Sequence, residues 1–68
     1  MDMDRMTREA AQAVRRLMAV TRAALEDPAR SEAALSAAAH EAHEAMRRAG
    51  LLHLSDGEVL ALVAQLDD

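Results

Sequence analysis

The sequence predicts an all-α fold, in which a long antiparallel hairpin of two helices is followed by a short third helix. Apolar residues recur at helical spacing over six turns of the first segment, and no strand-like alternation competes with this period. Pro28 and Gly50 then divide the remaining chain into segments of helical length. A chain of 68 residues is long enough for one small domain, which we expect to span residues 1–68.

The first helix is expected to span residues 4–26. Its apolar side chains fall on one side of a helical wheel and its charged side chains on the other. From Met3 to Ala24, one series of apolar residues keeps strict heptad order. Met18 and Leu25 widen this stripe beyond a two-stranded seam, so we expect the helix to contact two neighbouring helices.

The second helix is expected to span residues 28–49. Proline suits the first position of a helix, and Asp27 before it is a suitable N-cap. The inner face is rich in alanine, and small side chains let two backbones approach closely, which predicts tight antiparallel packing on the first helix. Arg47 and Arg48 occupy the last turn, where cations favour the helix dipole, and Gly50 ends the helix.

The third helix is expected to span residues 56–66. Ser55 and Glu58 have the spacing of a capping box, and Leu54 and Val59 are placed as its hydrophobic staple. Leu60 points about 100° away from the apolar side of this helix. The predicted inner face consists of Val59, Leu62, Val63 and Leu66.

The composition limits what this domain can do alone. Apolar residues form 51% of the chain, but 17 of them are alanine and there is no aromatic residue. A domain of this length buries only about 60% of its unfolded surface, so a monomer with an alanine core would be marginally stable. We therefore expect a homodimer in which two hairpins complete a helical bundle, and no large active-site cavity.

Several function classes are not expected. The absence of cysteine excludes thiol chemistry, and the carboxylates cluster on polar faces and at helix starts, so we do not predict an enzyme. No stretch approaches the roughly 20 apolar residues of a membrane span. The charged first twenty residues do not resemble a leader, and a cytoplasmic location is expected. A net charge of −4, with acids and no base on the third helix, argues against nucleic acid as a ligand.

The long apolar side chains exceed what one alanine-rich hairpin can cover, and this excess predicts a contact surface. For Met18 and Met46 two interpretations stay open, because each side chain can either fill the core of the monomer or contact a partner. Arginines recurring every seven residues along one edge of the first helix are expected to orient a partner or to pair with acids of a neighbouring helix. The interface candidates are Met18, Leu51, Leu52, Leu54, Leu60, Arg8, Arg15 and Arg22.

One cluster has the chemistry of a metal site. His40, His43 and Glu44 share a patch on a helix, and imidazole with carboxylate suits Zn²⁺ or another divalent transition metal. The spacing is not that of the zinc proteases, and His53 is the one further candidate ligand. A solvated polar face is the simpler interpretation of the cluster. Two copies meeting at a dimer axis would be the most favourable way to hold a metal.

The end of the chain resembles a known family. An alanine-rich helical hairpin followed by Leu54-Ser55-Asp56-Gly57-Glu58-Val59-Leu60 is similar, over about fifteen residues, to the C-terminal docking domains of modular polyketide synthases. The resemblance implies that the hairpin dimerises and that the last helix docks on another protein.

The sequence as a whole predicts a non-catalytic, small helical module that binds, tethers or modulates another protein through apolar helix faces. The expected partners are a second copy and an unidentified protein. The alternative is a metal-binding or metal-sensing helical dimer that uses the histidine cluster, and otherwise no cofactor is expected. The third possibility is an antitoxin-like accessory to a DNA-associated partner.

Overall fold

The computed structural model describes residues 3–67, so the ends of the predicted 1–68 domain lie outside the described residues. Helix α1 spans Arg5–Glu26, α2 spans Pro28–Ala49 and α3 spans Asp56–Ala64. A single 3₁₀ turn, Gln65–Asp67, follows α3. Within the described part of the chain there is no strand, and the all-α prediction is confirmed. The third helix is shorter than predicted, because its last turn tightens into the 3₁₀ form.

The two ends of α1 are closed in different ways. At the start, the carboxylate of Asp4 accepts hydrogen bonds from the backbone N–H of Thr7 at 2.8 Å and from the Thr7 hydroxyl at 3.0 Å. At the end, the backbone N–H of Asp27 donates to the carbonyl of Ala23 at 3.1 Å. Asp27 is the single residue between α1 and α2, and its side chain makes no cap hydrogen bond to α2. The expected side-chain cap is therefore absent, although the residue occupies the N-cap position.

The end of α2 follows the sequence prediction closely. Gly50 has φ 72 and ψ 29, in the left-handed region that glycine enters without strain. Its N–H donates to the carbonyl of Arg47 at 3.1 Å, and the N–H of Leu51 donates to the carbonyl of Met46 at 2.9 Å. This pair of bonds is a Schellman motif, and it turns the chain back over the hairpin.

The capping box at the start of α3 is also confirmed. The Ser55 hydroxyl accepts a hydrogen bond from the backbone N–H of Glu58 at 3.3 Å. In return, the Glu58 carboxylate accepts one from the backbone N–H of Ser55 at 3.1 Å. The reciprocal bonds satisfy two N–H groups that a free helix start would leave without a partner.

The core lies between α1 and α2, with α3 against one side. Its buried residues are Ala10, Ala13, Ala42, Ala45 and Met46. The half-buried residues Val14, Leu17, Ala49, Leu51 and Val59 pack against them. The backbone of α3 lies closer to α1 than to α2, which confirms that α1 has two helical neighbours. Ala11 is fully buried, which the analysis of the sequence missed.

Burial is confined to one end of the hairpin. We call residues 5–17 and 38–49 the core half of the hairpin and residues 18–37 its tip half. No residue from 14 to 41 is buried, whereas the segments on either side supply the whole hairpin core. The molecule is correspondingly elongated, with extents of 40 × 23 × 19 Å. The tip half is thus two helices in contact with little core between them.

Candidate protein-interaction surface

The apolar interface candidates divide into exposed and half-buried residues. Met18, Leu52 and Leu60 are 44%, 51% and 53% exposed, respectively. Leu51 and Leu54 are half-buried, and Leu51 packs against the buried cluster of the hairpin. The side chain of Leu51 is therefore used in packing within the chain, and its backbone N–H completes the Schellman turn. Met46 is buried and Met18 is not, so the two methionines have different environments.

Leu25 was placed on the buried stripe by its helical position, and the structure corrects this placement. It is 80% exposed, the largest exposed fraction among the large apolar side chains of residues 3–66. Leu25 occupies the next-to-last position of α1, and Val59 shows that α3 covers the core half instead. A helix of nine residues is about 13 Å long, whereas α1 is about 33 Å long. The third helix therefore leaves a large part of α1 uncovered.

Four residues of the tip half are half-buried, and the other sixteen are exposed. Val20 and Ala24 of α1, and Leu35 of α2, lie between the buried and exposed extremes. Their positions continue the inner faces of both helices, but no third element covers them from the side. The tip half thus keeps a few half-buried apolar residues and leaves Leu25 exposed.

A second surface combines arginine with apolar groups. Arg15, Met18, Ala19 and Arg22 line a shallow depression on α1. All four side chains are exposed. Arg8 is also exposed and belongs to the same heptad series, but it does not line the depression. The predicted arginine edge therefore contains two residues that share a site and one that does not.

Other arginines of α1 are paired within the chain. Nε of Arg16 lies 3.0 Å from a carboxylate oxygen of Glu41, and Nη2 donates to the same oxygen, which links α1 to α2. Arg5 pairs with Glu9 one turn along the helix, at 3.3 Å. The prediction that arginine pairs with an acid of the neighbouring helix is thus met at Arg16. Arg16 does not belong to the heptad series Arg8, Arg15 and Arg22, for which this pairing was expected.

The histidine cluster does not assemble a metal site within one chain. Among residues 3–67, no group of three or more His, Cys, Asp or Glu side chains is arranged to hold a metal ion. Nη2 of Arg47 donates to the Glu44 carboxylate at 2.8 Å, so this oxygen already has a cationic partner. The hydrogen bond from Arg47 lowers the pKa of Glu44, and the nearby His40 and His43 add smaller effects in the same direction. A metal shared between two copies stays a prediction.

The electrostatics of the surface are set by local hydrogen bonds. The backbone N–H of Ser55 donates to Glu58 and lowers the pKa of that carboxyl group. The backbone N–H of Thr7 does the same for Asp4. Among residues 3–66, no polar or charged side chain is buried. The charged groups of this part of the chain are therefore in contact with solvent.

Comparison with known proteins gives no relative. No protein-family model matches the sequence, and no curated protein and no solved structure matches it either. The similarity to docking domains rests on the residues quoted for it. None of the helices in the described residues has the length and apolarity required to cross a membrane.

Proposed function

We propose that the protein is a non-catalytic helical interaction module, and that the tip half of the hairpin is covered by another polypeptide. One observation carries this proposal: all buried residues of the hairpin lie in its core half, while the tip half keeps the apolar pattern of a buried face. An amphipathic helix is stabilised mainly by packing of its apolar side, and the tip half lacks that packing. Leu25 has the largest exposed fraction of the large apolar side chains of residues 3–66, and would therefore bury the largest share of its surface against a partner.

The first partner we propose is a second copy of the chain, in an arrangement that completes a helical bundle. The chain exposes 5021 Å², whereas a compact monomer of 7.4 kDa exposes about 4,200 Å². The excess is roughly 800 Å², which is about what one partner contributes to an interface of standard size. Two tip halves packed against each other would remove a surface of this order.

A dimer of this kind leaves other apolar residues for a different protein. Leu52 and Leu60 are exposed on the connector and on α3. They belong to the part of the chain that packs on the core half of the hairpin, and not on its tip half. We propose that they contribute to binding of that second protein, and alanine at both positions is expected to weaken its binding without changing the dimer.

Native mass spectrometry over a range of protein concentrations tests the dimer. We expect a dimer for the wild-type chain and a shift to monomer for Leu25→Glu, because the substitution buries a charge in the interface. Ala33→Glu is the matched control, since it adds the same charge on the side of α2 opposite the half-buried Leu35. A wild-type chain that stays monomeric at all concentrations contradicts the homodimer, as does a Leu25→Glu variant that dimerises like the control.

A further inference from the structure

Helix α1 carries a second series of positions in heptad order, beside the series that faces α2. From Thr7 onward the steps alternate between four and three residues, and the series lies about 90° around the helix from the first. Each of the two series can be buried only by a neighbour of its own. We call the second series the outer seam, and its members are Thr7, Ala11, Val14, Met18, Thr21 and Leu25.

The outer seam is buried at one end and exposed at the other. Ala11 is fully buried, although it does not belong to the cluster between α1 and α2. In the described chain, α3 and the 3₁₀ turn after it are the other elements that lie against α1, so they cover this end. Val14 is half-buried, whereas Met18, Thr21 and Leu25 are exposed. The cover provided by the chain itself thus ends between Val14 and Met18.

The polar group in the exposed end of the outer seam is already satisfied. The Thr21 hydroxyl donates a hydrogen bond to the backbone carbonyl of Leu17 at 2.8 Å, so its donor is used within α1. A buried hydroxyl is costly chiefly when its hydrogen bond is left unmade. Since Met18 and Leu25 lie on either side of it, Thr21 can be covered by an apolar surface without leaving a donor unpaired.

We propose that the exposed end of the outer seam packs against the same end of a second copy, with the two α1 helices antiparallel. In this register Met18 contacts Leu25 of the partner subunit. Two-fold symmetry repeats the contact with the roles exchanged, and the axis passes beside Thr21. Each outer seam is then covered by its own α3 at one end and by the second copy at the other.

The position of α3 favours the antiparallel direction. In a parallel pair, the α3 helices of both copies would lie between the two core halves. Packed helices have their axes about 8–10 Å apart, so two intervening helices would hold the α1 helices at about three times that distance. In the antiparallel pair, α1 of the second copy ends at Glu26, one residue after Leu25. It therefore stops before the part of the outer seam that α3 covers.

Charge at the rim gives this pairing a distinct salt dependence. Arg22 borders the outer seam next to Thr21 and is exposed, so its two copies approach each other near the axis while they stay in contact with solvent. Raising the salt from about 0.01 M to about 0.15 M shortens the screening length from roughly 30 to 8 Å. The dimer should tighten roughly twofold over this range, and Arg22→Gln should remove the effect. Weakening by salt would contradict the register.

Disulfide trapping tests the direction and the register, because the chain has no cysteine of its own. A disulfide spans Cα atoms about 4–7 Å apart, which helices in contact bring together at facing positions. Thr21→Cys should cross-link to itself at least about tenfold faster than Ala23→Cys, the control on the opposite side of α1. Leu25→Cys should not, because its two copies would lie roughly 10 Å apart along the axis.

A mixture of Met18→Cys and Leu25→Cys tests the predicted contact directly. Mild oxidation should give the mixed disulfide in preference to either homodimer, and mass spectrometry separates the three products because methionine and leucine differ in mass. Rapid cross-linking of Leu25→Cys to itself would overturn the antiparallel direction. Cross-linking of Thr21→Cys at the rate of the Ala23→Cys control would overturn the register.

The antiparallel pairing rests on the homodimer proposed above, but the two can fail separately. Native mass spectra of the wild-type chain report whether a dimer forms, and disulfide trapping reports which surface forms it. A wild-type dimer whose Thr21→Cys variant cross-links no faster than the control retains the homodimer and overturns the antiparallel seam. A wild-type chain that is monomeric at all concentrations contradicts both.

Discussion

The two halves of the hairpin have similar helical structure and very different packing. In the core half, alanines and Met46 are closed off from solvent, and α3 adds Val59 to their packing. In the tip half, the same two helices run side by side, yet Leu25 is 80% exposed. Both halves are amphipathic, so the difference comes from the position of the third helix. An apolar stripe becomes a core only where a second neighbour covers it.

The comparison also explains why alanine serves well in one half and poorly in the other. Where a third helix is present, Ala10 and Ala42 allow a close approach, and longer side chains from α3 and the connector fill the edges. Where it is absent, an alanine has too little apolar surface to bury. The tip half therefore depends on longer side chains such as Leu35 for its packing within the chain.

Truncation of a methionine should separate the two halves most strongly. Met46→Ala is expected to lower the free energy of unfolding by about 2–5 kcal/mol, because it opens a cavity in the buried cluster. Met18→Ala should cost less than about 1 kcal/mol, since that side chain is 44% exposed. Urea denaturation followed by far-UV circular dichroism, at one fixed protein concentration, measures both. Equal losses would mean that Met18 is as well packed as Met46.

Added volume is the next most sensitive probe. Ala10→Leu should destabilise the chain by about 1–3 kcal/mol, because position 10 is fully buried and has no room for three more carbons. Ala24→Leu places the same side chain on the same face two heptads later, and should change stability by about 0.5 kcal/mol or less. The unfolding midpoints of the two variants, each compared with the wild-type chain, measure this difference. A large loss at position 24 would show a core in the tip half.

The two glycines test how α3 is brought over the core half. Gly50→Ala should cost roughly 1 kcal/mol, because its φ of 72 is strained for any residue with a Cβ. Gly57→Ala should stabilise the chain by up to about 1 kcal/mol, since position 57 lies within α3 and a Cβ there meets open space. Thermal unfolding of both variants checks the opposite signs. Destabilisation by Gly57→Ala would contradict the helical assignment of that residue.

Acid should have the smallest effect, and it should act on the caps at the starts of α1 and α3. The pKa of Glu58 is lowered from its ordinary value of 4.5 and that of Asp4 from 3.8. A lowered pKa in the folded state means that the stabilisation is present above the ordinary value and is lost as the pH falls through the lowered one. Unfolding midpoints should therefore decline modestly below about pH 4.5. Glu58→Gln keeps the capping geometry and should flatten part of this decline.

Local signals in the sequence predicted most of the fold. Gly50, the arginines before it and the Ser55–Glu58 pair fixed two helix boundaries, because the hydrogen bonds of caps depend on neighbouring residues. Burial was less predictable, since it depends on elements that are distant in the chain. Leu25 and Ala11 lie fourteen residues apart on nearly the same side of α1, yet one is exposed and the other buried. Their helical positions carry no information about where α3 packs.

For the surface sites too, the pattern along the chain was predictable, whereas the contacts of the individual side chains were not. The heptad series of arginines was visible in the sequence, but the series does not reveal that Arg15 and Arg22 share a depression while Arg8 lies outside it. The histidine cluster shows the opposite case. His40, His43 and Glu44 are close in sequence and on one helix, but spacing alone did not indicate that Glu44 would pair with Arg47. A carboxylate can be assigned as a metal ligand only after its hydrogen bonds to nearby cations, such as that from Arg47 to Glu44, are known.

The single-residue connection at Asp27 has a consequence for how the chain folds. It brings α1 and α2 together at the tip, where contacts join residues close in sequence, but the buried core lies at the open end of the hairpin. There Ala13 and Ala42 are 29 positions apart, and Ala10 and Met46 are 36. The contacts that close first, at low cost in chain entropy, are thus the least stabilising ones. Folding must continue along both helices, away from the turn, before hydrophobic burial begins to offset the entropy already lost.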